Sequence, residues 1–358
     1  MRVRKNPSRP TASVGLAGLH LERRNFLASA VGGAALLSLT DASMRGSPAA
    51  ANVRTPSQSL GPLRRIRTSL LDIAYVEAGP PAGRPVLLLH GWPYDIHTYA
   101  DVAPLLAASG FRVIIPYLRG YGATHFLSGA YPRNGQQAAL ASDAIELIEA
   151  LDLDRPIVGG CDWGARTACI LAVLYPEQVR ALVSVSGYLI GSQASGATPL
   201  VPEAEHSWWY QYYFATERGR LGYASHTQEF ARLIWKTASP RWAFDEPTFV
   251  RSAAALDNPD HVAITIHNYR WRLGIADGDA RYSALETRLA AFPPVRIPSI
   301  TLEGDANGAP HPRAEDYRAR FVAPYEHRLI EGGIGHNLPQ EAPHAFARAI
   351  VDANRMAD

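Results

Sequence analysis

The chain has 358 residues, 47% of them apolar and 19% charged, which is enough for one large α/β domain with an insertion, or for two domains. That balance excludes a globally disordered chain, and a net charge of +2 gives no reason to expect nucleic acid as a partner. The charge is uneven: residues 1–51 carry seven Lys/Arg against two acids, a local +5 that leaves −3 for the remainder.

That basic segment reads as an export leader. Arg23 and Arg24 precede Phe26-Leu27 and a short apolar run to Leu39, and small residues follow at Pro48-Ala-Ala-Ala51. The Arg-Arg-x-Phe-Leu core resembles a twin-arginine signal, which places the mature protein outside the cytoplasm, in the periplasm; a disordered leader of a cytoplasmic protein is the alternative. The apolar run is too short for a comfortable membrane span. Residues 52–62 read as a linker.

From Leu63 the chain alternates strand and helix patterns. Leu63–Glu77 reads as one or two antiparallel edge strands. Pro85–Leu89 is a short, wholly apolar run, as expected of a buried parallel strand, and it ends in His90-Gly-Trp-Pro93. A helical pattern over 98–109 leads to a second buried strand, Phe111–Ile115, and to the glycine-containing loop Arg119-Gly-Tyr-Gly122. Residues 134–151 form an amphipathic helix. Pro156–Gly160 is then a strand that turns sharply through Cys161-Asp162-Trp163-Gly164 into an alanine-rich helix, and Ala181–Ser186 is another strand. From 187 to 292 strand patterns cease, and residues rich in Trp, Tyr, His and Arg read as an inserted helical cap. Core patterning returns over 293–358, with a strand ending at Gly304-Asp305, a last strand at His327–Ile330, the loop Gly332-Gly-Ile-Gly-His-Asn337 and a terminal helix. Residues 63–186 and 293–358 therefore make one mostly parallel sheet covered by helices on both faces, interrupted by the cap.

Gly160-x-Asp162-x-Gly164 has the form of a nucleophile elbow with aspartate at the apex. A carboxylate exposed there can attack carbon and form an ester; the plainer reading is a helix N-cap. Cys161, one residue off the apex, is the weaker candidate nucleophile, and both it and Cys169 read as small buried fillers. Asp305 and His336 follow in the order acid then histidine, each at a strand end, although Asp305 could equally shape a turn and His336 lie on a surface loop. In the catalytic reading His336 takes a proton from water, and Asp305 fixes its tautomer.

These motifs resemble the α/β-hydrolase superfamily, in particular its epoxide hydrolase and dehalogenase branch with an aspartate nucleophile. The resemblance implies a cis Trp92–Pro93 bond and an oxyanion hole made by the backbone N–H groups of Trp92 and Trp163. It also implies two cap tyrosines that hold and protonate the epoxide oxygen. Trp209-Tyr-Gln-Tyr-Tyr-Phe214 puts one at Tyr210, with Tyr212 and Tyr213 as competitors, and His267-Asn-Tyr-Arg-Trp271 puts the other at Tyr269. The expected activity is opening of a small hydrophobic epoxide to a vicinal diol, with no metal or organic cofactor. The departures point to rivals. Trp163 suits a haloalkane dehalogenase, but Trp92 stands where those enzymes carry a second halide ligand. Haloacetate dehalogenases have an arginine directly after the nucleophile, so here a carboxylate clamp would have to come from Arg166 or a cap arginine. A non-catalytic receptor on the same scaffold is the alternative of another class.

Overall fold

The computed structural model describes residues 60–358; the leader and all of the linker before Leu60 lie outside the described residues. Nine strands form one sheet: β1 Arg64–Arg67, β2 Leu71–Ala78, β3 Arg84–Leu89, β4 Phe111–Pro116, β5 His125–Phe126, β6 Ile157–Gly160, β7 Ala181–Val185, β8 Ser299–Gly304 and β9 Tyr325–Ile330. Their order is β1-β2-β4-β3-β6-β7-β8-β9, with the two-residue β5 added to β2. Pairings that involve β2 are antiparallel, and β4 through β9 pair in parallel. Strands β6, β7 and β8 are buried along their whole length, whereas the edge strand β9 alternates between half-buried and exposed positions. This is the pattern imposed by helices on both faces of a parallel sheet.

Helices α1 Val102–Ala108, α2 Gln137–Ala150 and α3 Trp163–Leu174 belong to the first half of the core. The expected helix over 98–109 is split, because Asp95 caps a short 3-10 turn, Ile96–Tyr99, before α1 begins. Between β7 and β8 the described chain is helical: α4 Gln193–Gly196, α5 Pro202–Ser207, α6 Trp209–Ala215, α7 Glu217–Ser225, α8 Thr227–Ala238, α9 Glu246–Ala253, α10 His261–Arg272 and α11 Ser283–Ala290. In α8 the buried residues Ala231, Ile234, Trp235 and Ala238 recur three or four apart, so one face packs inward and ends at Ser239. The chain closes with α12 Ala314–Tyr317, α13 Leu338–Glu341 and α14 Pro343–Met356.

The chain leaves β3 towards β4 on one side of the sheet and leaves β6 towards β7 on the other. The crevice beyond the C-terminal ends of β3 and β6 is thus the point where strand order reverses, the usual ligand position in such sheets.

Candidate active site

Asp162 stands at that crevice with φ 54° and ψ −119°, a left-handed conformation that a non-glycine residue holds only when its surroundings enforce it. They do so through three glycines. A Cβ on Gly160 would lie 2.3 Å from the backbone of Gly164, one on Gly164 would lie 1.8 Å from the carbonyl oxygen of Leu89, and one on Gly91 would lie 2.4 Å from the Cβ of Asp162. The turn is therefore as tight as the strand-to-helix spacing suggested, and Asp162 makes no side-chain cap bond to α3. Its carboxylate is free for other partners.

Those partners differ between the two oxygens. Oδ1 accepts the backbone N–H of Trp92 at 2.8 Å, and Oδ2 faces Nε2 of His336 at 3.6 Å. Burial would raise the carboxyl's pKa. The contact with His336, its charge and the N–H groups of Trp92 and Trp163 outweigh burial, and the net shift is downward. Asp162 is therefore ionised at neutral pH. The Trp92–Pro93 bond is cis.

Asp305 does not meet the expectation. Its carboxylate accepts the backbone N–H groups of Gly332, Gly333 and Ile334 at 2.8–3.1 Å. Burial raises its pKa, and these three donors more than reverse that effect. His336 Nδ1, the atom Asp305 was expected to orient, is buried without a hydrogen-bond partner. Asp305 thus ties down the loop that carries the histidine, through backbone donors that one-dimensional reading could not assign. Glu303, buried at the end of β8, is occupied by Asn307 at 2.7 Å and lies 3.6 Å from His311.

The two predicted tyrosines pack together beside Trp92. The Tyr210 and Tyr269 rings lie 5.4 Å apart, and each is just over 5 Å from Trp92. Tyr210 lines the cavity above Asp162. Tyr269 is 1% exposed and packs on Trp163 with ring centroids 6.1 Å apart. Burial pushes the Tyr210 hydroxyl up to about 12 and that of Tyr269 well above its ordinary value, so both stay protonated at neutral pH. Of the competitors, Tyr212 is exposed and donates to Glu205, and Tyr213 stacks on Phe230.

Several site residues carry no sequence signal of their own. The indole N–H of Trp92 donates to Tyr223 Oη, which bonds His261 Nε2, and His261 Nδ1 faces the carbonyl of Gly120. This chain fastens the loop that carries Trp92 to the cap, and burial keeps His261 neutral, its pKa lowered to about 4. The cavity encloses about 740 Å³ and is lined by Trp92, Asp162, Arg166, Tyr210, Arg272 and His336 among others. Arg166 donates to the Leu189 carbonyl, and Arg272 lies over the Trp208 ring at 4.3 Å. Among the described residues neither arginine forms an ion pair with a carboxylate. Arg119, by contrast, is locked in a two-pronged pair with Asp143 at 2.6 Å and bonds Asn134, so it holds the core together and is unavailable to a ligand. Cys161 and Cys169 are buried free thiols, and burial raises both pKa values. Neither is a competing nucleophile. Among the described residues no group of three His, Cys, Asp or Glu could hold a metal, and no helix is long and apolar enough to cross a membrane.

A carboxylate on a strained strand-to-helix turn, a backbone N–H on one of its oxygens and a histidine facing the other define the class: the α/β-hydrolase fold with an aspartate at the apex of its elbow. Comparison with known proteins agrees with that class. The model of the alpha/beta hydrolase fold family matches residues 84–269, and the chain belongs to this family. A crystal structure from Klebsiella pneumoniae, provisionally described as an epoxide hydrolase, is 59% identical and superposes with a TM-score of 0.81 over 82% of this chain and 97% of that one. Epoxide hydrolase A of Mycobacterium tuberculosis is 28% identical over 81% of this chain and 96% of its own length. A fluoroacetate dehalogenase of a Burkholderia species is 40% identical over 102 residues, 28% of this chain and 33% of its own. The first curated relatives are matched over only 24–35% of their length. The protein is an epoxide hydrolase-like α/β hydrolase with dehalogenase relatives.

Proposed function

We propose that the protein opens epoxides to vicinal diols through an ester on Asp162. The observation that carries this reading is the division of labour at the carboxylate, with Oδ1 on the Trp92 N–H and Oδ2 facing His336. Oδ2 attacks an epoxide carbon; the C–O bond breaks and its electron pair leaves on oxygen, which takes the hydroxyl proton of Tyr210, with Tyr269 beside it. The resulting tyrosinate regains a proton from solvent. His336 then removes a proton from water, and the hydroxide adds to the ester carbonyl. Negative charge gathers on Oδ1, where the Trp92 and Trp163 N–H groups stabilise it. Collapse breaks the bond from Cγ to the alkyl oxygen, the imidazolium returns its proton to the departing diol, and the carboxyl group of Asp162 releases its proton to solvent, which offsets the one taken up by the tyrosinate.

A second reading is favoured by Arg166 and Arg272. Two guanidinium groups lining one cavity, with no carboxylate partner among the described residues, suit a substrate that carries its own carboxylate. Arg272 also depresses the pKa of Arg166, second only to burial, to about 10, a repulsion that a bound anion would relieve. A halogenated or epoxidised acid fits this arrangement.

A single-turnover panel tests both readings, using neutral epoxides, haloalkanes, epoxy acids and haloacids with intact-mass detection of the enzyme. An adduct on Asp162 with the full mass of an added epoxide supports hydrolysis of epoxides; an alkyl adduct with free halide supports dehalogenation; no adduct from any member overturns both. The reading of residues 1–51 as an export leader is a separate proposal and rests on Arg23-Arg24-x-Phe26-Leu27. A reporter fused to these residues should reach the periplasm and should be retained when both arginines become lysine.

A further inference from the structure

With Asp305 spent on the backbone of residues 332–334 and His336 Nδ1 unpartnered, some other group must hold the histidine. Its backbone is gripped from three sides. The His336 N–H donates to the Ser239 Oγ at 2.9 Å and lies 3.2 Å from the Ala238 carbonyl, and the His336 carbonyl accepts from Cys161 Sγ at 3.3 Å. Ser239 in turn donates its hydroxyl to Glu341 Oε1 at 2.7 Å, while Glu341 Oε2 accepts the N–H of Gly335 at 2.7 Å. One carboxylate therefore clamps the residue before the histidine and, through one hydroxyl, the histidine itself.

We propose that Glu341, acting through Ser239, is the positioning carboxylate for His336 and the nearby negative charge that stabilises its imidazolium, in place of a directly bonded acid. This rests on the reading of Asp162 and His336 given above. The contact between cap and loop is close: a Cβ on Gly335 would fall 2.5 Å from the Cα of Ser239. Because Ser239 ends the cap helix α8 and Glu341 ends α13, the strap also makes the histidine's position depend on the cap being seated. Burial raises the Glu341 pKa, and Ser239, the Gly335 N–H and the charge of His336 oppose that rise. The other groups facing His336 are Asp162 and Cys161 from the nucleophile turn and Tyr94, whose ring lies 6.2 Å away. Asp305 sits behind the loop on its backbone.

The test separates ester formation from ester hydrolysis in the wild type and in Glu341→Gln, Glu341→Asp, Ser239→Ala, Asp305→Asn and His336→Gln, with thermal melting of each as the check on folding. Glu341→Gln should leave the rate of ester formation unchanged and slow hydrolysis about tenfold, since a nearby charge on a developing cation is lost. It should also move the acid limb of hydrolysis to lower pH by about half a unit, because an imidazole without that charge loses its proton more readily. Ser239→Ala should slow the same step less, and Glu341→Asp should restore the position of the limb. Asp305→Asn should keep the wild-type limb. The inference is overturned if Asp305→Asn moves the limb and Glu341→Gln does not, or if Glu341→Gln slows hydrolysis with the limb unmoved, which is the mark of a merely structural role. If His336→Gln traps no ester at all, the reading of the nucleophile fails instead, and the two failures are told apart.

Discussion

Nε2 of His336 stands 3.6 Å from Oδ2 of Asp162, beyond hydrogen-bond reach yet close enough to share one electrostatic environment. The separation suits a histidine that serves the second half of a reaction. In the proposed mechanism it need not activate Asp162, whose pKa is depressed, and its task is to activate the water that attacks the ester.

Removing the histidine should therefore split the two halves. In His336→Gln, ester formation should proceed near the wild-type rate while turnover falls by about 10³-fold or more, the scale at which loss of one member of such a unit is felt. Intact mass after mixing with substrate should show the stalled adduct, and peptide mapping should place it on Asp162. Asp162→Ala should show no adduct.

The pH dependence should divide in the same way. The Asp162 pKa is depressed in the folded protein, so its carboxylate persists below the usual carboxylate value of about 3.9. Ester formation should stay flat as pH falls through that value, provided the fold survives, while hydrolysis, which depends on a general base, should carry an acid limb of its own. The linked stability has the sign of a depressed acid: the contribution of Asp162 is complete above its unfolded pKa and fades as pH drops through the lower folded one. Rapid-quench measurements from pH 4 to 8 should show an acid limb in hydrolysis and none in ester formation, and a limb shared by both steps would count against the assignment.

Tyr210→Phe should slow opening of epoxides by about 10²-fold, since an alkoxide leaving group needs a proton donor. Alkyl halides, which leave as stable anions, should be nearly indifferent to it. Equal losses on both substrate types would assign Tyr210 to packing, as its contacts with Trp92 and Phe214 also allow.

The charged wall makes a different prediction. Arg272→Gln and Arg166→Gln should each raise the KM of an acidic substrate by about tenfold or more, the worth of one charge-assisted hydrogen bond, and leave a neutral epoxide of similar size little changed. Steady-state kinetics on a matched acid and ester pair reads this directly.

Gly164→Ala tests the elbow itself. The added methyl carbon would meet the Leu89 carbonyl oxygen at 1.8 Å, backbone against backbone, with no side chain free to move aside. Strain on this scale should cost about 3 kcal/mol, read as a shift in the urea midpoint with an unchanged slope.

Much of this was legible from the chain alone, and the reason is local. Strand β6, the glycine-bounded apex and the alanine-rich start of α3 are adjacent in sequence, so steric demands within a few residues define the turn and place Asp162 at its tip. The buried strands announced themselves because covering a sheet on both faces requires continuous apolar runs. Strand β5 was missed, since two residues carry no periodicity. The segments around Tyr210 and Tyr269 pointed to these tyrosines through the family resemblance, while their place relative to Asp162 is set by how α6 and α10 lie over the sheet.

The partners of His336 belong to the other category. Asp305 directly follows β8 in the expected order, and order says only that it lies at the right edge of the sheet. Whether its carboxylate meets an imidazole or three backbone N–H groups depends on the path of the loop from Gly332 to Ile334. Ser239 lies 97 residues from His336 and Glu341 lies 102 residues from Ser239, and the clamp exists because the cap helix α8 and α13 converge on one loop. Arg166 and Arg272 likewise face one cavity from core and cap. A turn is decided by steric contacts between near neighbours and can be read in one dimension. The environment of a charge is decided by which distant segments desolvate it and which donors reach it, and that information exists only once the chain has folded.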